Sequence, residues 1–299
     1  MSRRSLATAL VIAVLSVMTL AGLSMAVLLA VGDGAGLAFG GRIAIVEVDG
    51  IISDDEQFIE DVRRLERDRS VKGWVVAINS PGGVVAPSQS IYQELRKLRE
   101  ADDRPVVASI GTVGASGGYY VALGADSILA LPGSITGSIG VLMEFPDVSA
   151  LMEKVGVDMQ IVKGGAQKDL GSPFRPMGPE DRAVLAEMVE DVHGQFIEVV
   201  AQERRLTVEQ VRPLADGSIF SGRQAAQRGL VDRLGNLEDA IALAGEMAGL
   251  GPDPRIVRPP RERDGILAEL LLGRTAMRAL GRLVDPLTGT SPVLKYIVH

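Results

Sequence analysis

The sequence predicts an α/β fold with a mostly parallel sheet covered by helices, and three observations carry that expectation. Short apolar runs rich in β-branched residues alternate with helical patterns from Arg42 onward. Runs such as Trp74-Val75-Val76-Ala77-Ile78 are apolar throughout, as strands covered on both faces are. Capping-box spacing marks helix starts at Ser53/Glu56, Thr207/Gln210 and Ser221/Gln224.

In order along the chain, strands are expected at 43–48, 73–78 and 106–110. Each is followed by a helix, at 56–67, 87–98 and 117–123. A strand-like run at 158–162 leads into a Gly-rich segment. Residues 179–202 then read as one long amphipathic helix with Leu185, Met188, Val192, Phe196 and Val199 facing inward.

The N-terminus predicts a membrane anchor. No charge occurs between Arg4 and Asp33, and residues 6–31 would span roughly 39 Å as a helix, enough to cross a bilayer. Arg3 and Arg4 precede this run and Asp33 follows it, so the positive-inside rule puts residues 1–5 in the cytoplasm and everything after Gly32 outside. A cleavable signal peptide is the competing reading; the apolar run is longer than an ordinary h-region and ends without a convincing small-x-small site. Residues 32–41 form a Gly-rich linker. The folded domain is expected at 42–250, followed by a C-terminal extension at 251–299.

Composition narrows the function. A net charge of −7 removes the electrostatic case for nucleic acid, and the absence of cysteine removes disulfides, thiol catalysis and thiolate metal sites. No cofactor or metal is expected.

The chemistry centres on residues 113–120, where Ser116 lies among small residues between an apolar run and a helix. A serine at such a junction meets unpaired backbone N–H groups that favour developing negative charge. The same position also suits a serine that merely caps the helix. Gly114-Ala115-Ser116-Gly117-Gly118 satisfies G-x-S-x-G, the nucleophile pattern of α/β-hydrolases, but that arrangement needs a histidine. Only His193 and His299 exist, the first beside the apolar stripe of a helix and the second at the chain end. A lysine can replace histidine when its surroundings keep it neutral, and Lys168 in the Gly-rich segment 163–173 is the candidate. Neighbouring Asp169 would oppose that role unless its side chain points elsewhere. Asn79-Ser80-Pro81-Gly82-Gly83 supplies a second Gly-rich turn whose amides could approach a substrate carbonyl closely, or could be an ordinary Pro-Gly turn.

Taken together, four motifs resemble the signal peptide peptidase A family, in its short bacterial form with an N-terminal anchor. They are Asn79-Ser80-Pro81-Gly82-Gly83, Ala115-Ser116-Gly117-Gly118-Tyr119-Tyr120, Ile135-Thr136-Gly137-Ser138-Ile139-Gly140-Val141 and Lys168-Asp169-Leu170-Gly171-Ser172-Pro173. The resemblance implies a serine protease on the ClpP/crotonase-like fold. It implies Ser116 as nucleophile, Lys168 as general base, Ser138 as the hydroxyl orienting the lysine, and the amides of Gly83 and Gly117 as the oxyanion hole. It further implies remnant signal peptides and other hydrophobic or unfolded peptides as substrates, a membrane location and homo-oligomers. Two other classes stay in view: a crotonase-like acyl-CoA enzyme and an inactive membrane-tethered scaffold. Residues 264–285 read as an amphipathic helix that packs on a neighbouring subunit or, as the sharper alternative, lies on an anionic membrane surface.

Overall fold

The computed structural model describes residues 41–101 and 103–260, together with Thr19 and the backbone of Lys295–Ile297. The chain divides into two units, Met1–Gly41 and Arg42–His299. The expected anchor at 6–31, apart from Thr19, and the expected helix at 264–285 lie outside the described residues. Among the described residues no helix is long and apolar enough to cross a membrane.

In chain order the elements are β1 (Arg42–Asp49), α1 (Glu56–Glu66), β2 (Val71–Ser80), β3 (Gly82–Val84), α2 (Val85–Ala101), β4 (Val106–Ala115) and α3 (Gly117–Ala122). Next come β5 (Ser127–Ala130), β6 (Ile135–Gly137), α4 (Ser149–Lys154), α5 (Pro179–Arg204), α6 (Val208–Val211), β7 (Ile219–Ser221) and α7 (Gly222–Gln227). The last are β8 (Arg233–Leu234), α8 (Leu237–Met247), β9 (Arg255–Val257) and β10 (Lys295–Ile297).

The central strands are apolar on both faces because each separates two cores. In β1, Ala44, Val46 and Val48 face the larger core while Ile43 and Ile45 face the smaller. In β2 and β4 the same alternation sets Trp74, Val76, Ile78, Val106, Ala108 and Ile110 against Val75 and Val107. Phe58, Leu95, Tyr120 and Phe196 bring α1, α2, α3 and α5 onto the larger core, and Ala240, Ile241 and Ala244 of α8 close the smaller.

The sheet runs β7-β6-β4-β2-β1-β9, with β5 also beside β4 and β8 beyond it. Its pairings are parallel except β6 with β7. One irregularity matters for function. The β2–β4 register is regular from Trp74↔Val106 to Ile78↔Ile110, then shifts so that Ser80 pairs with Gly114. On its other edge β4 pairs with β5 through Val107–Ile110 and with β6 only through Val113–Ala115. The end of β4 therefore leads Ser116 towards the residues that follow β6.

Four expectations are corrected. β4 continues to Ala115, past the expected end at Ile110. Asp55, not Ser53, occupies the N-cap position of α1, without a side-chain capping bond, and the Ser53 hydroxyl bonds the neighbouring Asp54 carboxylate instead. Residues 158–162 form no strand; all are exposed, and no neighbouring strand offers them a ladder. Met188 is exposed because the first half of α5 reaches past the core, where its buried face begins in earnest at Val192. The boxes at Thr207/Gln210 and Ser221/Gln224 form as expected.

Candidate active site

Ser116 joins β4 to α3 in a backbone conformation that few residues adopt, φ 55° and ψ −116°. Its amide donates to the Gly137 carbonyl at 2.8 Å and its carbonyl accepts from Tyr120 N–H at 2.8 Å, so both sides of the turn are fixed. Its hydroxyl is buried and has no partner among the described residues. A buried hydroxyl without a hydrogen bond costs on the order of 1–3 kcal/mol, and a left-handed φ on a non-glycine adds to that cost. A helix cap needs neither feature, and the Ser116 side chain makes no capping bond.

α3 is held by the two tyrosines that follow Gly118. Tyr119 is fully buried and its hydroxyl donates to the Leu230 carbonyl at 2.8 Å; burial pushes its phenol well above the ordinary range. Tyr120 packs on Tyr92 edge-on at 5.2 Å and on Phe196 at 4.9 Å, and burial raises its phenol to about 12. Tyr92 in turn donates to Glu203, which also pairs with Arg99. Burial first, and the Glu203 hydrogen bond second, push Tyr92 up to about 12. These phenols stay neutral, so they anchor the helix and do not serve as bases.

The glycines answer to close approach. A Cβ on Gly117 would lie 2.6 Å from Ser88 Oγ and 3.2 Å from the Gly83 amide nitrogen. A Cβ on Gly83 would lie 2.1 Å from the Ile52 carbonyl oxygen. Gly82 N–H bonds Ser80 Oγ, and the amide of Val84 and the carbonyl of Gly82 bond Ile52, which fixes β3 on both sides of Gly83. The N–H of Gly117, first residue of a helix, has no intrahelical acceptor. The structure thus brings the Gly83 and Gly117 backbones together next to the Ser116 turn.

Ser138 is brought to the same place. Ala115 pairs with Gly137, so Ser116 and Ser138 leave their strands side by side. Ser138 also has a left-handed φ of 49°, is buried, and bonds the Ser218 carbonyl through its amide. Among the described non-glycine residues only Arg205, at the end of α5, shares that backbone region with the two serines.

Lys168 is placed differently. It sits in an exposed run of turns in which its own amide bonds the Gly165 carbonyl. Asp169 points to Lys163 and Arg175, each of which it pairs with, and these cations hold its carboxyl well below the ordinary range. The requirement that Asp169 turn away from Lys168 is met. His193 is half-buried on α5 and its Nε2 has no partner among the described residues, a packing position.

Sequence reasoning gave Ser80 no role of its own and passed over Ser88, Arg175 and Asp181. The first two were obscured because short-range turn patterns do not reveal which hydroxyl faces which amide. Asp181 could have been found: Gly178-Pro179-Glu180-Asp181 puts proline at the first helical position and an acid two residues later, and Asp181 Oδ2 accepts from Gly178 N–H at 3.0 Å.

Comparison with known proteins defines the class, a serine peptidase. The profile described as Peptidase family S49 matches residues 99–251. A candidate protease of Synechocystis sp. is 44% identical over 213 residues, which cover 71% of this chain and 76% of the relative. An SppA-type candidate signal peptide peptidase of Enterococcus faecium is 36% identical over 67% of this chain and 62% of its own. The chloroplastic serine protease SPPA of Arabidopsis thaliana is 32% identical over 80% of this chain, which spans only 36% of that longer protein. The chain belongs to peptidase family S49, the signal peptide peptidase A family.

Proposed function

We propose that this chain is a membrane-anchored endopeptidase of the ClpP/crotonase-like fold, with Ser116 and Lys168 as its catalytic dyad. The observation that carries the reading is the buried, unpartnered Ser116 hydroxyl, held in a strained turn beside the Gly83 and Gly117 backbones. In this reading Ser116 Oγ attacks the scissile carbonyl while neutral Lys168 accepts its proton. The Gly83 and Gly117 amides meet the oxyanion of the tetrahedral intermediate. Lys168 then returns the proton to the leaving amine, and water repeats the sequence on the acyl-enzyme. Ser138, leaving β6 beside Ser116, orients the lysine.

Peptide binding has a ready template. β3 contains Gly83 and accepts β10 of this same chain as an antiparallel strand, with Tyr296 opposite Gly83. An edge that takes one extended segment suits substrate bound by strand addition in place of β10, its carbonyl carried past the glycine amides. Substrates would be remnant signal peptides and other hydrophobic or unfolded segments reached from a membrane tether.

Because Lys168 is exposed and makes no bond to Ser116, the dyad must close by packing of the 140–178 segment. Leu151, Val155, Val157 and Val162 of that segment are exposed without a core of their own, which fits packing against further copies in a homo-oligomer. The catalytic domain would lie on the extracytoplasmic side.

Ser116→Ala and Lys168→Ala should each abolish cleavage of a signal-peptide substrate in detergent, with oligomer size unchanged. Full activity in either variant overturns the dyad.

A further inference from the structure

The segment that carries Lys168 has almost no buried side chain, so its attachment to the body of the protein must come from elsewhere. Arg175 supplies it. Its Nε donates to Asp169 Oδ2 at 2.8 Å and its Nη2 to Asp169 Oδ1 at 3.1 Å, a two-pronged pair. The same guanidinium grips Asp181 through Nη1 on Oδ2 and Nη2 on Oδ1. Asp181 is buried in the first turn of α5, where Gly178 N–H bonds it as well, so it is fixed to the start of that helix. Lys163 completes the cluster from the other side of Asp169. Asp169 immediately follows Lys168, and a free carboxylate there would pair with the ammonium and favour the protonated lysine.

We propose that Arg175 is a positioning residue for the general base: braced on Asp181, it fixes and neutralises the Asp169 carboxylate so that this group does not pair with Lys168. The inference rests on Lys168 being the base. The charged groups bonded around Asp169 among the described residues are Lys163 and Arg175, with Asp181 beyond Arg175. Removing Arg175 leaves Lys163 alone to neutralise the carboxylate, with nothing to fix its direction. Lysine at position 175 keeps the charge but loses the fork.

The test is the pH profile of kcat/KM for peptide cleavage by the full-length protein in detergent. Arg175→Ala should move the acid limb up by about one pH unit, a loss of about tenfold on that limb, with the high-pH plateau much less affected. Arg175→Lys should give a smaller shift in the same direction. Adding Asp169→Asn to Arg175→Ala should return the limb to its wild-type position, because the competing charge is gone. An acid limb that stays put in Arg175→Ala, or a shift that Asp169→Asn does not reverse, overturns the inference and reduces Arg175 to a structural clamp. Lys168→Ala separates the two levels. If it stays active the dyad itself fails; if it is inactive while Arg175→Ala keeps the wild-type profile, only the positioning role fails.

Discussion

Two regions meet in the proposed mechanism, and they are built on opposite principles. The nucleophile region, from the end of β2 to α3, is enclosed by the sheet and by Tyr119, Tyr120 and Phe196. Its strained residues persist because packing and backbone bonds determine them from several sides. The proposed base region, residues 140–178, has no buried side chain, leaves Leu151, Val155, Val157 and Val162 in solvent, and is tied down by Asp169, Arg175 and Asp181. Hydrophobic packing fixes positions over a wide range of conditions, whereas ion pairs at a partly solvated site weaken with salt and acid. In the proposed dyad the nucleophile would therefore be preformed, and the base would be set in place by charge and by closure.

The contrast can be broken most directly at Ser116. Ser116→Ala should reduce peptide cleavage by at least about 10³-fold while the unfolding midpoint holds or rises, since the variant removes a buried hydroxyl that had no partner. A large fall in stability with residual activity would mean the serine is structural. Phe196→Ala, which empties the core beneath Tyr120, should cost about 3–5 kcal/mol in denaturant unfolding. Gly83→Ala forces a Cβ to within 2.1 Å of the Ile52 carbonyl and displaces the amide. Its kcat should fall by roughly 10²-fold, measured against a stability loss smaller than that of Phe196→Ala.

Acid should loosen the base region first. The carboxyls of Asp169 and Asp181 lie below the ordinary value of 3.8, held there chiefly by hydrogen bonds from Arg175. Groups whose folded pKa is depressed stabilise above the ordinary value and lose that contribution as the pH falls through the folded one. Amide exchange in residues 163–178, corrected for its intrinsic rate, should therefore accelerate below about pH 4, while β2 and β4 stay protected. Equal acceleration in both regions would remove the distinction between them. The smallest effect belongs to Val162→Ser: this side chain is fully exposed, and unfolding should change by no more than about 0.5 kcal/mol.

How far the sequence could be read follows the same division. The strands at β1, β2 and β4 and the helices between them were legible because burial on both faces writes a local apolar pattern. Ser116, Gly83, Gly117 and Ser138 were legible as motifs. The strand expected at 158–162 and the inward Met188 failed because apolar residues there are not matched by a surface to cover them in this chain.

The sequence by itself determined the α/β class, the family and which hydroxyl stands at a strand-to-helix junction, since each is carried by neighbouring residues. Only the tertiary structure decided that the β2–β4 register shifts at Ser80 and that Ser116 and Ser138 emerge side by side. It alone decided that Gly117 abuts the Gly83 amide and that Arg175 pairs with both Asp169 and Asp181. Those facts depend on contacts between segments far apart in the chain, made by sheet register and ion pairing, which no local pattern encodes.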